Sequence, residues 1–440
     1  MPPKPRAVLV AVHTQEQTTE HVQASLAELE RLCDTVGFRV VGQVVQRRSG
    51  TASGKLLGDG KLIELAGWTG GTGVVHRGPP PKSDDERPEP APPPPGRSED
   101  DERLADRVVV DADLSPSQLR NLQKATGVEV LDRTGVILEI FHRNARTREA
   151  RAQVELARLA YVAPRLRETG QASERQAGRG AGDTALELDR RKVRDRMAQL
   201  RKELKQIEEQ RGQRRDRRRT ARQVALVGYT NAGKSSLMRA ITGSEPYVAD
   251  QLFATLDTTV RRLVPEVVPP VLVTDTVGFI RDLPHDLVAS FRSTLEAALD
   301  ATLLLHVVDA ADADLQRQLE VTAEVLAEVQ ADDIPRQLVL NKWDKLDPPK
   351  RRELVARFPD AWTTSAKEPE QVEVLHQKIV GFFASELEEA ELFVPWAKAG
   401  VIGLVHGDAE VVSEDFEDDG VRYQLRVTPS ALGKLRAAVE

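Results

Sequence analysis

The stretch Gly228–Ser235 has the residue types and spacing of a phosphate-binding loop, with four residues between its two glycines and Lys-Ser after the second. Backbone N–H groups of such a loop, and of the helix that follows it, can cradle phosphate oxygens. Lys234 is expected to reach the β- and γ-phosphates, and Ser235 to hold a magnesium ion that bridges them. The predicted phosphate-binding residues are Gly228, Tyr229, Thr230, Asn231, Ala232, Gly233, Lys234 and Ser235.

The apolar segment Pro270–Asp275 ends in a carboxylate and is followed by Thr276, Val277 and Gly278. Asp275 suits the magnesium shell, and the backbone N–H of Gly278 suits the γ-phosphate. This short motif is common in proteins. It gains weight here from the phosphate-binding loop that precedes it.

Two further motifs have the chemistry needed to select guanine, and they consist of Asn341, Lys342, Trp343 and Asp344, and of Ser365, Ala366 and Lys367. The Asp344 carboxylate can accept hydrogen bonds from N1–H and the exocyclic amine of guanine, a donor pair that adenine lacks. The stem of Lys342 can cover the base, and the backbone N–H of Ala366 can donate to guanine O6. Four motifs in this order, placed at strand ends, predict an enzyme that binds and hydrolyses GTP.

The elements that must position these motifs alternate between strand and helix patterns, which predicts an α/β fold. A chain of 440 residues is long enough for roughly two to four domains. We predict a P-loop GTPase domain with an N-terminal α/β domain, a charged antiparallel helical hairpin and a small C-terminal α/β appendage. Their boundaries are 1–146 for the N-terminal domain, 147–221 for the hairpin, 222–385 for the GTPase domain and 386–440 for the appendage.

The N-terminal domain is predicted from four strand patterns around two helices. The strands are Arg6–Val12, Phe38–Val45, Arg107–Asp111 and Val128–Leu131, and the helices are Val22–Leu32 and Ser115–Ala125. An insert at 79–103 interrupts this pattern with nine prolines and eight acidic residues. It lacks large apolar side chains, so we expect it to be disordered.

The hairpin is predicted from two helical patterns, Thr147–Pro164 and Leu186–Gln213, joined by a loop from Arg165 to Thr184. An apolar seam on the second helix consists of Val193, Met197, Leu200, Leu204 and Ile207. Residues 189–222 hold 15 Lys or Arg against 6 Asp or Glu, a local charge of 15 − 6 = +9 in a chain of net charge −7. Such a basic segment either forms a solvated surface or contacts a polyanion.

Composition excludes several other classes of protein. A single cysteine, Cys33, cannot form an internal disulfide, and the eight histidines show no metal-ligand spacing with it. No stretch approaches about 18 consecutive apolar residues, so the sequence predicts neither a signal peptide nor a membrane-spanning helix. The expected location is the cytoplasm.

Beyond these motifs, the sequence resembles the HflX family of ribosome-associated GTPases, which belong to the translation-factor class. The stretches that carry the resemblance are Val128–Gly135, Ala145–Glu149, Gln153–Leu156, Leu186–Arg191 and Leu252–Asp257. The resemblance implies a monomeric GTPase that uses Mg²⁺, binds GTP and GDP, and acts on the large ribosomal subunit. In this family the hairpin loop reaches ribosomal RNA, and no DNA partner is expected.

The resemblance also places the magnesium-binding switch threonine at Thr255, within the nucleotide-binding run Phe253, Ala254, Thr255, Leu256 and Asp257. Thr258 and Thr259 are its rivals on the sequence alone. The expected magnesium ligands are Ser235, Thr255 and Asp275, and the expected catalytic residues are Lys234, Thr255 and Gly278.

The hairpin loop departs from the family pattern. Family members carry Gly-Pro-Gly-Glu-Thr-Gln, whereas this chain has Gly-Ala-Gly-Asp-Thr-Ala at 180–185. Loss of the proline loosens the backbone and loss of the glutamine removes an amide, so the ribosomal contact is expected to be weaker or altered. A second family motif, Gly58–Lys61, is either a turn before a helix or part of a second nucleotide site.

Two alternatives stay open. Asn231 either stabilises the bend of the phosphate loop or helps to hold K⁺ beside the phosphates, as in related GTPases. The whole chain is either a ribosome-acting GTPase or a regulatory module that nucleotide switches on a protein or membrane complex.

Overall fold

The computed structural model describes residues 3–15, 17–49, 54–75, 90–93, 104–173, 182–215, 222–243, 252–253, 256, 258–281 and 299–440. Within these ranges only the backbone is described for residues 167–173, 182–187, 208 and 210–215. The chain divides into two compact units, Met1–Leu204 and Lys205–Glu440. Most of the acidic insert, the predicted switch residue Thr255 and much of the predicted hairpin loop lie outside the described residues.

The first unit is built on a parallel sheet of four strands in the order β2-β1-β3-β4. The strands are β1 (Arg6–His13), β2 (Arg39–Arg47), β3 (Arg107–Val110) and β4 (Glu129–Asp132). The helices are α1 (Thr19–Val36), α2 (Asp59–Thr69), α3 (Pro116–Thr126) and α4 (Arg133–Asn144). All four predicted strands and both predicted helices are present, whereas α4 was not predicted and a helix at α2 follows only from the turn interpretation of Gly58–Lys61. Gly58 is the N-cap of α2, as the turn interpretation of that motif requires.

The hairpin consists of α5 (Arg148–Ser173) and α6 (Gly182–Arg215). Two ion pairs show that the helices run antiparallel, because Arg148 meets Glu203 at 2.5 Å while Arg196 meets Glu155 at 2.7 Å. Leu200 of the predicted seam is buried.

The prediction that the first hairpin helix ends at Pro164 is wrong, because α5 contains that proline. Proline removes one backbone donor. The next residue, Arg165, stacks on the Tyr161 ring and donates to the Tyr161 carbonyl at 2.6 Å. Both Arg165 and Tyr161 also donate to the buried Asp132 carboxylate, each at 2.7 Å, which fixes α5 to the end of β4.

The second unit contains a six-stranded sheet in the order β10-β9-β8-β5-β7-β6, parallel except for β6. Its strands are β5 (Arg222–Val227), β6 (Thr259–Arg262), β7 (Val271–Asp275), β8 (Leu303–Asp309), β9 (Arg336–Asn341) and β10 (Trp362–Thr363). Its described helices are α7 (Lys234–Thr242), α8 (Leu315–Glu328), α9 (Pro348–Arg357) and α10 (Pro369–Ala384). The central strands are apolar and buried on both faces, as in other parallel sheets.

The chain ends in a three-stranded antiparallel sheet of order β11-β13-β12. Its strands are β11 (Glu388–Pro395), β12 (Glu410–Glu417) and β13 (Gly420–Val427), and its helices are α11 (Ile402–Asp408) and α12 (Pro429–Val439). Strands and helices are therefore both present at this end of the chain, as the predicted small α/β appendage requires. The domain boundaries at 146, 221 and 385 stay predictions.

Candidate active site

The phosphate-binding loop joins the buried strand β5 to the N-terminus of α7. Gly228 has φ 144°, and a Cβ atom there would lie 2.1 Å from the Val307 carbonyl oxygen. At Gly233, with φ 92°, a Cβ atom would lie 2.3 Å from the Asn341 side-chain nitrogen. Both positions therefore require glycine, because the loop passes too close to β8 and β9 for any side chain.

Lys234 is buried directly beneath this loop. Its ammonium group donates to the carbonyl oxygens of Gly228 at 3.0 Å and Tyr229 at 2.8 Å. Burial lowers the pKa of Lys234 to about 8, although the nearby Asp275 carboxylate acts in the opposite direction. Lys342 also favours the neutral form. A phosphate group brings the missing negative charge, so its binding restores full protonation of this lysine.

We therefore expect GTP binding to take up a proton above pH 7. For a lysine whose pKa is about 8 without nucleotide, affinity falls about tenfold between pH 7 and pH 9, since binding must first recharge the amine. Titration of a fluorescent GTP analogue at both pH values measures the fall. Calorimetry in two buffers of different ionisation enthalpy gives the proton count, and equal heats in both buffers would contradict the expectation.

Two of the three expected magnesium ligands lie together. The Ser235 hydroxyl donates to the Asp275 carboxylate at 2.6 Å, where the start of α7 meets the end of β7. A hydroxyl beside a buried carboxylate is an oxygen donor set that suits Mg²⁺. These residues therefore fit the ion, while Thr255 lies outside the described residues.

The segment after Asp275 closes against the phosphate loop. The backbone N–H of Thr230 donates to the Phe279 carbonyl at 2.7 Å, and that of Phe279 donates to the Gly228 carbonyl at 3.1 Å. A Cβ atom on Gly278 would lie 2.9 Å from the Lys234 ammonium nitrogen. The backbone at Gly278 thus lies next to the lysine expected to hold the γ-phosphate.

The guanine motif after β9 is tied to the phosphate loop. Asn341 donates from its side chain to the Ala232 carbonyl at 2.8 Å. Lys342 donates to the Asn231 carbonyl at 2.7 Å and pairs with Asp309 at 2.8 Å. These contacts hold the Lys342 stem across one side of the loop, where it can cover a base next to bound phosphates.

The two predicted base-recognition motifs also meet. The Ser365 hydroxyl donates to the Asp344 carboxylate at 2.6 Å, and the Lys367 backbone N–H donates to the Ser365 hydroxyl at 3.3 Å. The Trp343 backbone N–H donates to the Thr364 carbonyl at 3.2 Å. Serine therefore holds one oxygen of the carboxylate that is predicted to accept from guanine.

Family models match three consecutive parts of the chain. They are described as "GTP-binding GTPase N-terminal" for residues 23–74 and 98–142, "GTP-binding GTPase Middle Region" for 144–218, and "50S ribosome-binding GTPase" for 223–342. GTPase HflX of Gluconacetobacter diazotrophicus is 54% identical, over 100% of this chain and 98% of that protein. This chain belongs to the HflX family of GTPases. GTPase HflX of Escherichia coli (strain K12) is 38% identical, over 96% of this chain and 93% of that protein.

This HflX-family chain is a GTP-hydrolysing enzyme with a P-loop GTPase domain. Among solved structures, a GTP-binding protein from Sulfolobus solfataricus in complex with GDP is 23% identical with a TM-score of 0.42, covering 85% of this chain and 98% of that one. Among the described residues, no helix has the length and apolar character needed to cross a membrane.

Not every predicted site residue of this HflX GTPase faces the nucleotide site with its side chain. The Thr276 hydroxyl is buried and donates to the Leu226 carbonyl at 2.7 Å, so it holds β7 to β5. Phe253 and Leu256 are buried. Ala254, Thr255 and Asp257 lie outside the described residues.

Two polar contacts of the site were not predicted from the sequence. Asp309 ends β8 as Asp275 ends β7, and this placement of a carboxylate after an apolar strand was a usable signal. The Tyr229 hydroxyl accepts a hydrogen bond from the Arg281 backbone N–H at 2.8 Å. No spacing rule for tyrosine in phosphate loops indicates that contact.

Proposed function

We propose that this GTPase associates with the large ribosomal subunit in its GTP-bound form and that hydrolysis resets binding, in ribosome splitting, rescue or biogenesis. The observation that carries the proposal is the match of residues 223–342, which hold the phosphate loop and the first two residues of the base motif, to the "50S ribosome-binding GTPase" model. The experiment that tests it is sedimentation with purified large subunits, where we expect binding that depends on the nucleotide.

The charge of α6 supports RNA as the contacted surface. Arg194, Arg201, Lys202 and Lys205 are exposed, and within the described part of the chain none of them forms an ion pair. Basic side chains of this kind bind phosphates by releasing counterions, which makes the contact sensitive to salt. The α5–α6 hairpin is therefore proposed to carry the contact to ribosomal RNA, and the altered sequence at 180–185 includes the first residues of α6.

Each proposed site residue has a distinct role in GTP binding or hydrolysis. Lys234 neutralises charge on the β- and γ-phosphates, and the Gly278 N–H donates to the γ-phosphate. Ser235 and Asp275, with Thr255, are proposed to hold Mg²⁺, which supplies charge neutralisation when bound. Asp344 and the Ala366 N–H recognise the guanine edge.

We further propose that K⁺ supports hydrolysis through Asn231. The left-handed backbone of Asn231, with φ 61°, fits the turn interpretation, and its carbonyl already accepts from Lys342. Phe279 occupies the position that holds the water-orienting glutamine in Ras-type GTPases. An added cation can therefore support hydrolysis where this glutamine is missing. We expect faster hydrolysis in potassium chloride than in sodium chloride at equal ionic strength.

The Asn231→Ala variant should lose this difference and keep GTP affinity within about twofold, since the backbone carbonyl contact survives. Asn231→Gly is the matched control for the turn, because glycine tolerates positive φ. Equal rates in the two salts, with and without ribosomal subunits, would leave only the turn role. The expected cytoplasmic location, monomeric state and absence of a DNA partner stay predictions.

A further inference from the structure

The C-terminal sheet presents an aromatic pair to solvent. Phe416 on β12 is 71% exposed and Trp396 is 45% exposed, and their rings stack with centroids 6.4 Å apart at 19°. Phe416 pairs with Val421, which is fully buried in the core beneath the sheet. The aromatic pair therefore continues the apolar face of the sheet onto β12, where it is exposed to solvent.

The chain around this pair is strongly acidic. Residues 408–419 contain seven Asp or Glu and no Lys or Arg. Arg422 pairs with Glu417 at 2.6 Å, and Arg426 pairs with Glu410 at 3.3 Å. Within residues 408–419, which the structure describes in full, the carboxylates without an ion-pair partner are Asp408, Asp415, Asp418 and Asp419.

Strand β12 is also the last strand of its sheet, and no other described strand pairs with its outer edge. An open edge can accept an added strand through backbone hydrogen bonds. We use "acidic edge" for β12 with its turn, residues 410–419, together with Trp396. The acidic edge combines backbone hydrogen-bonding groups, an aromatic contact and uncompensated negative charge.

We propose that the acidic edge binds a lysine- or arginine-rich protein segment, which adds as a strand beside β12 and places an apolar side chain on Phe416 and Trp396. The negative charge selects a basic segment and repels the phosphates of RNA. This surface therefore binds a protein, whereas the basic helix α6 is proposed for RNA. Neither surface requires the other.

The probe is a labelled peptide of about ten residues in which lysine alternates with valine, long enough to form one strand. We expect it to bind the full chain by fluorescence anisotropy. Phe416→Ala should weaken binding about tenfold, as should the triple change Asp415→Asn, Asp418→Asn and Asp419→Asn. A peptide alternating lysine with serine should bind about tenfold more weakly, since it lacks the apolar contact.

Matched controls separate this surface from general attraction to other acidic segments. Val355 is 50% exposed on α9, and Val355→Ala should leave peptide affinity unchanged. Neutralising the exposed carboxylates of Asp332, Asp333 and Asp360 with asparagine should also leave it unchanged. GTP hydrolysis by the isolated chain should be equal in all variants, which shows that they are folded.

Two results would overturn the proposal. One is that both acidic-edge variants change peptide affinity by less than twofold, or that the control variants lose as much peptide affinity as the acidic-edge variants do. The other is that Phe416→Ala weakens binding of a uridine oligonucleotide instead of the peptide, because RNA would then be the occupant. Uridine binding that is the same in Phe416→Ala and the parent chain is the expected outcome.

Discussion

Lys234→Ala is expected to abolish GTP hydrolysis, with a loss of at least about a hundredfold, the effect of removing one preorganised donor from a transition state. Lys234 is the buried cation beneath the phosphate loop, next to Gly278, and its charge faces the β- and γ-phosphates in the proposed complex. Initial rates of phosphate release at saturating GTP measure the effect.

A matched control for this variant is Lys345→Ala, which removes an exposed lysine just beyond the base motif. It should keep the parent rate. GDP binding and thermal unfolding of Lys234→Ala should be compared with those of the parent, because the lysine also bonds two loop carbonyls. A folded Lys234→Ala protein that hydrolyses GTP within threefold of the parent rate would contradict the assigned role.

Asp344→Asn is expected to convert the preference for guanine into a preference for xanthine. Asparagine presents an amide donor where the guanine amine also donates, but xanthine carries a carbonyl at that position. Hydrogen bonds to a charged group contribute about 1.5–3 kcal/mol each, so affinity for GTP should fall at least tenfold. Competition of GTP and XTP against a labelled guanine nucleotide measures both changes.

The control for the base site is Asp347→Asn, three residues further along. Asp347 caps α9 by accepting from the Lys350 backbone N–H at 3.0 Å, and asparagine caps helices equally well. Its nucleotide preference should therefore not change. Unchanged GTP affinity in Asp344→Asn would show that the base binds elsewhere. The Asp344 carboxylate would then be held only by the Ser365 hydroxyl, which donates to one of its oxygens at 2.6 Å.

Much of the site was predictable because its residue types have few alternatives. Only glycine fits at 228 and 233, and a parallel sheet brings the ends of its strands to one edge. The sequence therefore indicated that Ser235 and Asp275 meet, as do Asp344 and Ser365. It also predicted the four strands of the first unit, and the strand that ends at Asp275, from their apolar patterns.

Other features depend on contacts between distant residues, which local patterns do not encode. Helix α5 continues through Pro164 because Arg165 and Tyr161 bind Asp132, which lies about thirty residues earlier in the chain. Helix α4 follows directly on β4 and buries eight of its twelve residues, so it lacks the wide polar face that marks a surface helix in a sequence. The exposed Phe416 is opposite Val421 only because β12 and β13 pair in that register.

The proposed contact between α6 and RNA can be tested with two variants that lose the same charge. One variant replaces exposed basic residues of α6 with glutamine, at Arg194, Arg201 and Lys202. The control removes the same charge elsewhere in the chain, at Arg352, Lys398 and Arg436. Each lost phosphate contact should reduce the dependence of binding on salt, so the α6 variant should show the smaller salt slope.

The most direct test of the central claim is sedimentation of the purified chain with large ribosomal subunits in GTP, in GDP and without nucleotide. We expect the largest bound fraction with a GTP analogue that resists hydrolysis, a smaller fraction with GDP, and weaker binding of the α6 variant than of its control. No binding in any nucleotide state would contradict a ribosomal role and favour a nucleotide-switched module that acts on another complex.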